Sequence, residues 1–416
     1  MILNDARILT LAHAERSSRG SARRGQAMRD LAIIARGAIE VIDGRIAAVH
    51  VGDAPTSALR AHGEEVYDMG GRVVMPAFTD CHTHACFAGE RYDEMELRLR
   101  GESYLNILAA GGGIMSSVRA VRGATQTELV ENLRARIALM RRTGTAHIEV
   151  KSGYGLELDA ELRMLRAIRA VAASDAGIIT PTFLGAHAID GEAAHYCAMV
   201  EREMLPAVVR EFGAIACDGY CEKSAWSREA TLSLLRAAKV LGCPLRVHVD
   251  QFNELGMLED ALALGMQSVD HLEATSSASL QRVAQSNAIA VLLPGSGLSL
   301  DLRFADGRAL LDGGGAVSIA SNMNPGSSAL TSMPLVIALA ARFYRFTHAE
   351  AITAACWNSA CVLGIESETG SIEVGKRADM IVLPTRDERA LAYEWCSVSP
   401  IATIVHGRVH AGSLRD

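Results

Sequence analysis

Thirteen histidines are present in the chain, and the placing of five of them is where chemistry first shows. Asp80-Cys81-His82-Thr83-His84 follows the apolar run Val73-Val74-Met75-Pro76-Ala77-Phe78, which reads as a buried strand. In an extended chain residues i and i+2 point the same way, so His82 and His84 project together while Thr83 turns aside. Two imidazoles side by side make half a metal site. His187, His248 and His271 each follow another apolar run, in Gly185-Ala186-His187, His248-Val249-Asp250-Gln251 and Asp270-His271-Leu272-Glu273. Packing alone would bury several of these ring nitrogens without partners. One divalent cation on His82, His84 and His248 satisfies three rings. An open position on it carries a water acidic enough to attack near neutral pH. His271 is then placed to orient that water or polarise the substrate, and His187 is a second group for polarising a carbonyl. Arg91, seven residues beyond His84, either clamps a carboxylate with two parallel hydrogen bonds or makes a surface salt bridge.

Five side chains from distant positions need a scaffold that gathers strand ends. After the run at Val73, seven more strands are expected: Thr145 to Lys151, Ile178 to Leu184, Ile215 to Cys221, Leu245 to Val249, Ser268 to His271, Ile289 to Leu293 and Val317 to Ala320. Helical spacing between them, as in Glu161 to Ile168 and Thr231 to Arg236, completes the arithmetic of an α/β fold, a (β/α)8 barrel over residues 73–370. Its chemistry gathers where strands exit toward the following helices. The last exit is Ser321-Asn322-Met323-Asn324-Pro325-Gly326. Both ends of the chain are rich in short β runs. Asp43-Gly44 is a hairpin turn signal and His406-Gly407 another turn. Residues 1–72 and 371–416 are therefore expected to form one small composite β-sandwich domain.

A net charge of -7 argues against nucleic acid as a partner. The one basic cluster, Arg16 to Arg24, reads as a solvated loop. No apolar run reaches the roughly 18 residues a membrane span needs, and no signal segment is visible, so no membrane partner is expected. Nine irregularly spaced cysteines form no disulfide framework, and Cys217 and Cys221 lack a second pair for a zinc knuckle. A reducing cytoplasm is the expected location. Gly111-Gly112-Gly113 lacks a phosphate-loop Lys-Ser/Thr and reads as a turn or active-site loop. Neither a Gly-x-Gly-x-x-Gly nor a Gly-x-Ser-x-Gly occurs.

Beyond these signals, Asp80 to His84, Phe87-Ala88-Gly89-Glu90-Arg91, Glu96 to Leu99, Ala110 to Ile114, Glu149 to Leu156, Phe183 to Ala188, Cys221-Glu222-Lys223, Asp270 to Glu273, Val291 to Gly295 and Asn324 to Ser327 together resemble the imidazolonepropionases of the amidohydrolase superfamily. The resemblance implies the same barrel with a terminal β domain and a metal on His82, His84 and His248. Zinc is the first expectation, with iron or manganese as alternatives. It also implies a five-membered imidazolone ring bearing a propionate, held by Arg91, Tyr104, Tyr154, His187, Gln251, Asn324, Gly326 and Ser327, with His271, His187 and residue 322 in catalytic places. The family reaction opens the ring to N-formimino-glutamate in histidine breakdown, and a homodimer is expected.

Three departures bear on that reaction. Asn322 stands where the family has an aspartate that binds metal and shuttles the water's proton; an amide takes up no proton near neutral pH. Gln251 stands where many members carry a glutamate. Ser296-Gly297-Leu298-Ser299-Leu300 replaces an aromatic-rich stretch. A ring nitrogen leaves poorly unless protonated, whereas sulfur leaves as an anion. The favoured expectation is therefore a desulfhydrolase acting on 3-(5-oxo-2-thioxoimidazolidin-4-yl)propionate, giving hydrogen sulfide and the hydantoin propionate, as in ergothioneine breakdown. Imidazolonepropionase activity is the alternative. An inactive or engineered relative, with Asn322 in place of a natural aspartate, is the third.

Overall fold

The computed structural model describes residues 1–12, 22–55, 57–58, 65–102, 112–223, 225–300, 302–395 and 397–415. Among the described residues, sixteen strands fall in two sheets. The chain ends supply β1 (Ile2–Leu9), β2 (Ile33–Ile42), β3 (Arg45–Val51), β4 (Val66–Asp68), β5 (Val73–Pro76), β14 (Met380–Val382), β15 (Ala402–Val405) and β16 (Arg408–Gly412). The middle supplies β6 (Phe78–Asp80), β7 (Thr145–Lys151), β8 (Ile179–Ala186), β9 (Ala216–Cys221), β10 (Arg246–Val249), β11 (Ser268–His271), β12 (Ile289–Leu292) and β13 (Ala316–Ile319).

Strands β6 to β13 pair in sequence order, all parallel. The ring closes just past its strands: Asn322 N donates to His82 O at 3.1 Å, and His84 N donates to Met323 O at 2.8 Å. The seam of this (β/α)8 barrel is thus stitched by the backbone of His82, His84 and Asn322. Two of the helices between strands show how the barrel is covered. Leu158–Ala172 packs Leu162, Met164, Leu165, Ile168 and Val171 inward, an amphipathic stripe at helical period. Gln126–Arg142 opens on a Thr125–Glu128 capping box, which satisfies two otherwise orphaned N–H groups.

The apolar run at Val73 was expected to be one barrel strand. It is two. β5 pairs with β1 and β14 in the terminal sheet, and the first barrel strand begins at Phe78. Pro76 has no N–H for a ladder. At Ala77 the chain changes sheets: Ala77 N donates to Asp379 O, and the next N–H, that of Phe78, donates to Gly144 O. The terminal strands form a single hydrogen-bonded mixed sheet with its own cluster, including Leu3, Ile8, Ile39, Val41, Ile46, Val74, Met380, Val382 and Ile404. Both expected hairpin turns are present. Asp43 and Gly44 lie at φ 51° and 76°, His406 and Gly407 at 49° and 73°, the left-handed pair a two-residue type I′ turn requires.

The basic cluster, expected as a solvated loop, is instead engaged with backbone at Arg23 and Arg24. Arg23 is buried and donates to the carbonyls of Leu11, Ala12 and Asp30, and Arg24 to those of Gly314, Ala284 and Ser286. These guanidiniums pin carbonyls of separate segments instead of facing solvent; Arg16 and Arg19 lie outside the described residues. The eight described cysteines are free thiols, Cys217 and Cys221 among them. Among the described residues no helix is long and apolar enough to cross a membrane.

Candidate metal and ring-binding site

All five expected histidines converge at the mouth. Ring centroids of His82 and His248 are 4.5 Å apart, His82 and His84 5.3 Å, His248 and His271 5.4 Å, and His84 and His187 4.9 Å. Nitrogens of His82, His248 and His271 lie within 4.8 Å of one another. The expected trio had His84 in the place of His271. His84 sits on the other flank of His248, its Nε2 3.3 Å from His248 Nε2, with its ring stacked on His187.

Three of the rings are backed by carboxylates. His82 Nδ1 is 2.6 Å from Asp270 Oδ2, His248 Nδ1 3.1 Å from Asp218 Oδ1, and His271 Nδ1 3.1 Å from Glu273 Oε1. A carboxylate on Nδ1 fixes the tautomer and aims a lone pair out through Nε2. Burial holds the imidazolium forms of His82, His84 and His248 down, so the rings are neutral. His82 Nε2 and His84 Nδ1 are buried with no hydrogen-bond partner among the described residues. Two facing Nε2 atoms and two orphaned nitrogens are unfavourable as packing and suit a divalent cation.

The backbone at the strand exits is bent to this end. Asp250, His271, Leu272 and Asn322 have φ of 54°, 85°, 73° and 51°, a region disfavoured for side-chain-bearing residues and held by the surrounding fold. Asn322 is buried in the mouth, and its Oδ1 has no partner among the described residues. His187 Nδ1 lies 2.9 Å from Gly153 O, so this nitrogen donates. Burial pushes the ring's pKa down to about 3. A neutral ring donating through Nδ1 offers only a lone pair at Nε2. This corrects the expected role: His187 can accept a ring N–H but has no proton with which to polarise a carbonyl. Tyr154 is buried, 5.1 Å from His187 ring to ring.

Arg91 reaches the loop after β13. An added Cβ on Gly326 would meet Arg91 Nη1 at 2.3 Å. Asn324 was expected to touch substrate, yet its carboxamide is engaged within its own loop. Oδ1 accepts from Gly326 N and Ser327 N, and Nδ2 donates to Asn322 O at 2.6 Å. It shapes the turn that presents Gly326 and Ser327. Gln251 Oε1 accepts from Tyr220 Oη at 2.8 Å, and its Nε2 is 3.5 Å from Ser296 Oγ in the reshaped wall. Tyr104 and Gly111 lie outside the described residues.

Sequence reasoning missed what lies beneath the histidines. Lys151 Nζ bridges Glu149 Oε1 and Asp218 Oδ2 at 2.8 Å each, and Arg246 Nη1 donates to Glu149 Oε1 at 2.6 Å. All four groups are buried. Burial opposes the Lys151 ammonium, but Asp218 and Glu149 hold it above its ordinary pKa. Burial raises the Asp270 carboxyl to about 7 against the pull of Lys151. The available signal was period two: Glu149 and Lys151 share one face of β7, inside a strand that is otherwise apolar but for Thr145 and His147.

With this geometry stand the relatives. The amidohydrolase family model matches residues 73–410. An imidazolonepropionase of Deinococcus radiodurans is 44% identical over 371 residues, 89% of this chain and 91% of that one. Another, of Herpetosiphon aurantiacus, is 41% identical over 399 residues, 93% of this chain and 92% of that one. Among solved structures, 5-methylcytosine deaminase of Klebsiella pneumoniae aligns with a TM-score of 0.73 at 16% identity, covering 99% of this chain and 98% of that one. E. coli guanine deaminase aligns at 0.71 and 14%, covering 99% and 100%. At such identities these two speak for the fold alone. The chain belongs to the amidohydrolase family, as an imidazolonepropionase-like metal-dependent hydrolase.

Proposed function

We propose that the chain hydrolyses a five-membered imidazolone-type ring bearing a propionate, and that residue 322 decides which bond breaks. A divalent cation on His82, His84 and His248, zinc by first expectation, would supply a water acidic enough to attack a ring carbon near neutral pH. His271, with Nδ1 on Glu273, offers Nε2 to take a proton from that water. His187 accepts a ring N–H, Tyr154 packs beside it, and Arg91 receives the carboxylate.

The names of the relatives back ring opening, the imidazolonepropionase reaction, more than they back sulfide release. One observation in this chain favours sulfide release. Asn322 Oδ1 is buried, without a partner among the described residues, at the seam beside His82. An amide there orients water by accepting a hydrogen bond but delivers no proton to a departing nitrogen. A thioxo carbon asks for no proton on a ring nitrogen: the elements of water add across C=S with one of the water's protons passing to sulfur by way of His271, the C–S bond breaks as C=O forms, and sulfur leaves as hydrosulfide with the ring intact. We infer that 3-(5-oxo-2-thioxoimidazolidin-4-yl)propionate is the substrate this chain's own residues fit best, with imidazolone propionate the one its relatives' names carry.

The test is direct competition. Purified protein with one equivalent of added zinc or iron is given each compound, and sulfide and N-formimino-glutamate are measured. Sulfide in excess supports the present reading. N-formimino-glutamate alone makes the chain an imidazolonepropionase. Neither product, with metal bound, makes it an inactive relative.

A further inference from the structure

We propose that Glu94 is a positioning residue that aims Arg91 at the substrate's carboxylate, in a slot that Gly326 keeps open. The role rests on the ring-propionate reading above, and it concerns a residue no part of that reading uses.

Guanidinium presents two usable edges to an anion: a side edge through Nε and one terminal nitrogen, and an end edge through both terminal nitrogens. In Arg91 the side edge is taken. Nε and Nη2 both donate to Glu94 Oε2, at 2.9 and 2.5 Å. Both side chains are mostly buried, 15% and 14% exposed, so the pair is shielded from the solvent that weakens exposed ion pairs. Nη1 has no hydrogen bond among the described residues and lies over Gly326. Any side chain at position 326 would occupy the place of that nitrogen.

The surrounding backbone fixes the slot from both sides. Glu94 sits in the first turn of the helix Tyr92–Leu99, directly after Arg91. Arg98, one turn further, donates to Ser299 O at 2.9 Å and reaches Gly326 O at 3.5 Å, tying the helix to two loops of the mouth. The Gly326 side is held by Asn324 Oδ1, which receives both Gly326 N and Ser327 N. An arginine that is gripped on its side edge has lost most of its rotamer freedom before substrate arrives. The end edge is thereby held out for a carboxylate without further ordering.

Charge alone makes the opposite demand, because Glu94 is an anion beside the place where another anion binds. If Glu94 acted only as a competing charge, removing it would tighten carboxylate binding. If it aims Arg91, removing it loosens binding, and a neutral acceptor of the same shape restores it. Glu94→Ala, Glu94→Gln and Gly326→Ala are compared with the natural protein. The probes are 3-(imidazol-4-yl)propionate and 4-propylimidazole, which share an imidazole and a three-carbon chain and differ in the carboxylate. Binding is read by calorimetry, and KM and kcat are read with whichever ring substrate turns over.

The expected result is about a tenfold weaker hold on the propionate probe, and a matching rise in KM with kcat unchanged, in Glu94→Ala and Gly326→Ala. Glu94→Gln stays within about threefold of the natural protein, and 4-propylimidazole binding does not move. Unchanged or tighter propionate binding in Glu94→Ala overturns the role while leaving the substrate reading intact. An equal loss of both probes, or of kcat, marks a structural residue and overturns it too. A natural protein that binds both probes alike overturns the substrate reading and this role together.

Discussion

Two histidines, one on barrel strand β7 and one just past its neighbour β6, are both wholly buried and both lie beside an aspartate, yet their surroundings differ in one respect. His147 on β7 has both ring nitrogens engaged: Nδ1 accepts from Ile178 N at 3.2 Å, and Nε2 meets Thr369 Oγ1 at 2.9 Å and Asp379 Oδ2 at 3.2 Å. His82, beyond β6, has Nδ1 on Asp270 and nothing among the described residues on Nε2. The first ring closes a network joining the barrel to Arg377, Asp379 and the His406 turn. The second is backed on one side and open on the other. Burial and a carboxylate do not make a site; a backed ring with an unanswered lone pair does.

This contrast predicts opposite phenotypes. The largest effect belongs to His248→Ala, which removes a backed ring from the cluster. Turnover should fall by at least roughly 10³-fold, since a Lewis acid supplies several kcal/mol to such reactions, while thermal unfolding changes little. Retained turnover would break the contrast. Next is Asn322→Asp. Restoring an acid should raise ring opening of imidazolone propionate by roughly 10²-fold, the usual range for a positioned proton donor. No gain in N-formimino-glutamate would show that residue 322 does not choose the bond.

A smaller effect is expected at the backing carboxylate. Asp270→Asn should weaken metal affinity by roughly 10- to 100-fold, read by titration against a chelating dye. At the other histidine, His147→Ala should leave kcat near normal and lower stability by about 3 kcal/mol, the scale for breaking a buried pair, measured by denaturant unfolding. The smallest is a pH effect on the same network. Burial would raise the Asp379 carboxyl, but His147 and Arg377 hold it below the usual carboxylate range. A depressed folded pKa gives stability that is present above the unfolded aspartate's value of about 4 and lost as pH falls below it. His147→Ala should therefore show a shallower loss of stability between about pH 5 and 2 than the natural protein.

The mouth histidines were legible because strand exits concentrate them. Period two puts His82 and His84 on one side, and the eight apolar runs put His187, His248 and His271 at the same end. What stayed hidden depends on long-range partners. His147 and His82 look alike in sequence; only Thr369 and Asp379, more than two hundred residues on, make the first a structural group. The proton position on His187 is set by Gly153 O, a backbone atom that no side-chain pattern reports. Asn324 looked like a ligand-binding amide because its turn, which consumes the carboxamide, closes only in the folded loop. The division of the Val73 to Phe78 run was visible in Pro76, which closes β5 opposite Met380 with no N–H of its own to donate, once two sheets were known to compete for the run.

Metal stoichiometry of purified protein, natural, His248→Ala and His147→Ala, determined side by side by elemental analysis after dialysis against zinc or iron, is the most direct test. One divalent ion per chain in the natural protein and in His147→Ala, with well under one in His248→Ala, is the predicted result. No bound ion in the natural protein, or equal occupancy in all three, would contradict the assignment of the orphaned ring nitrogens to a cation.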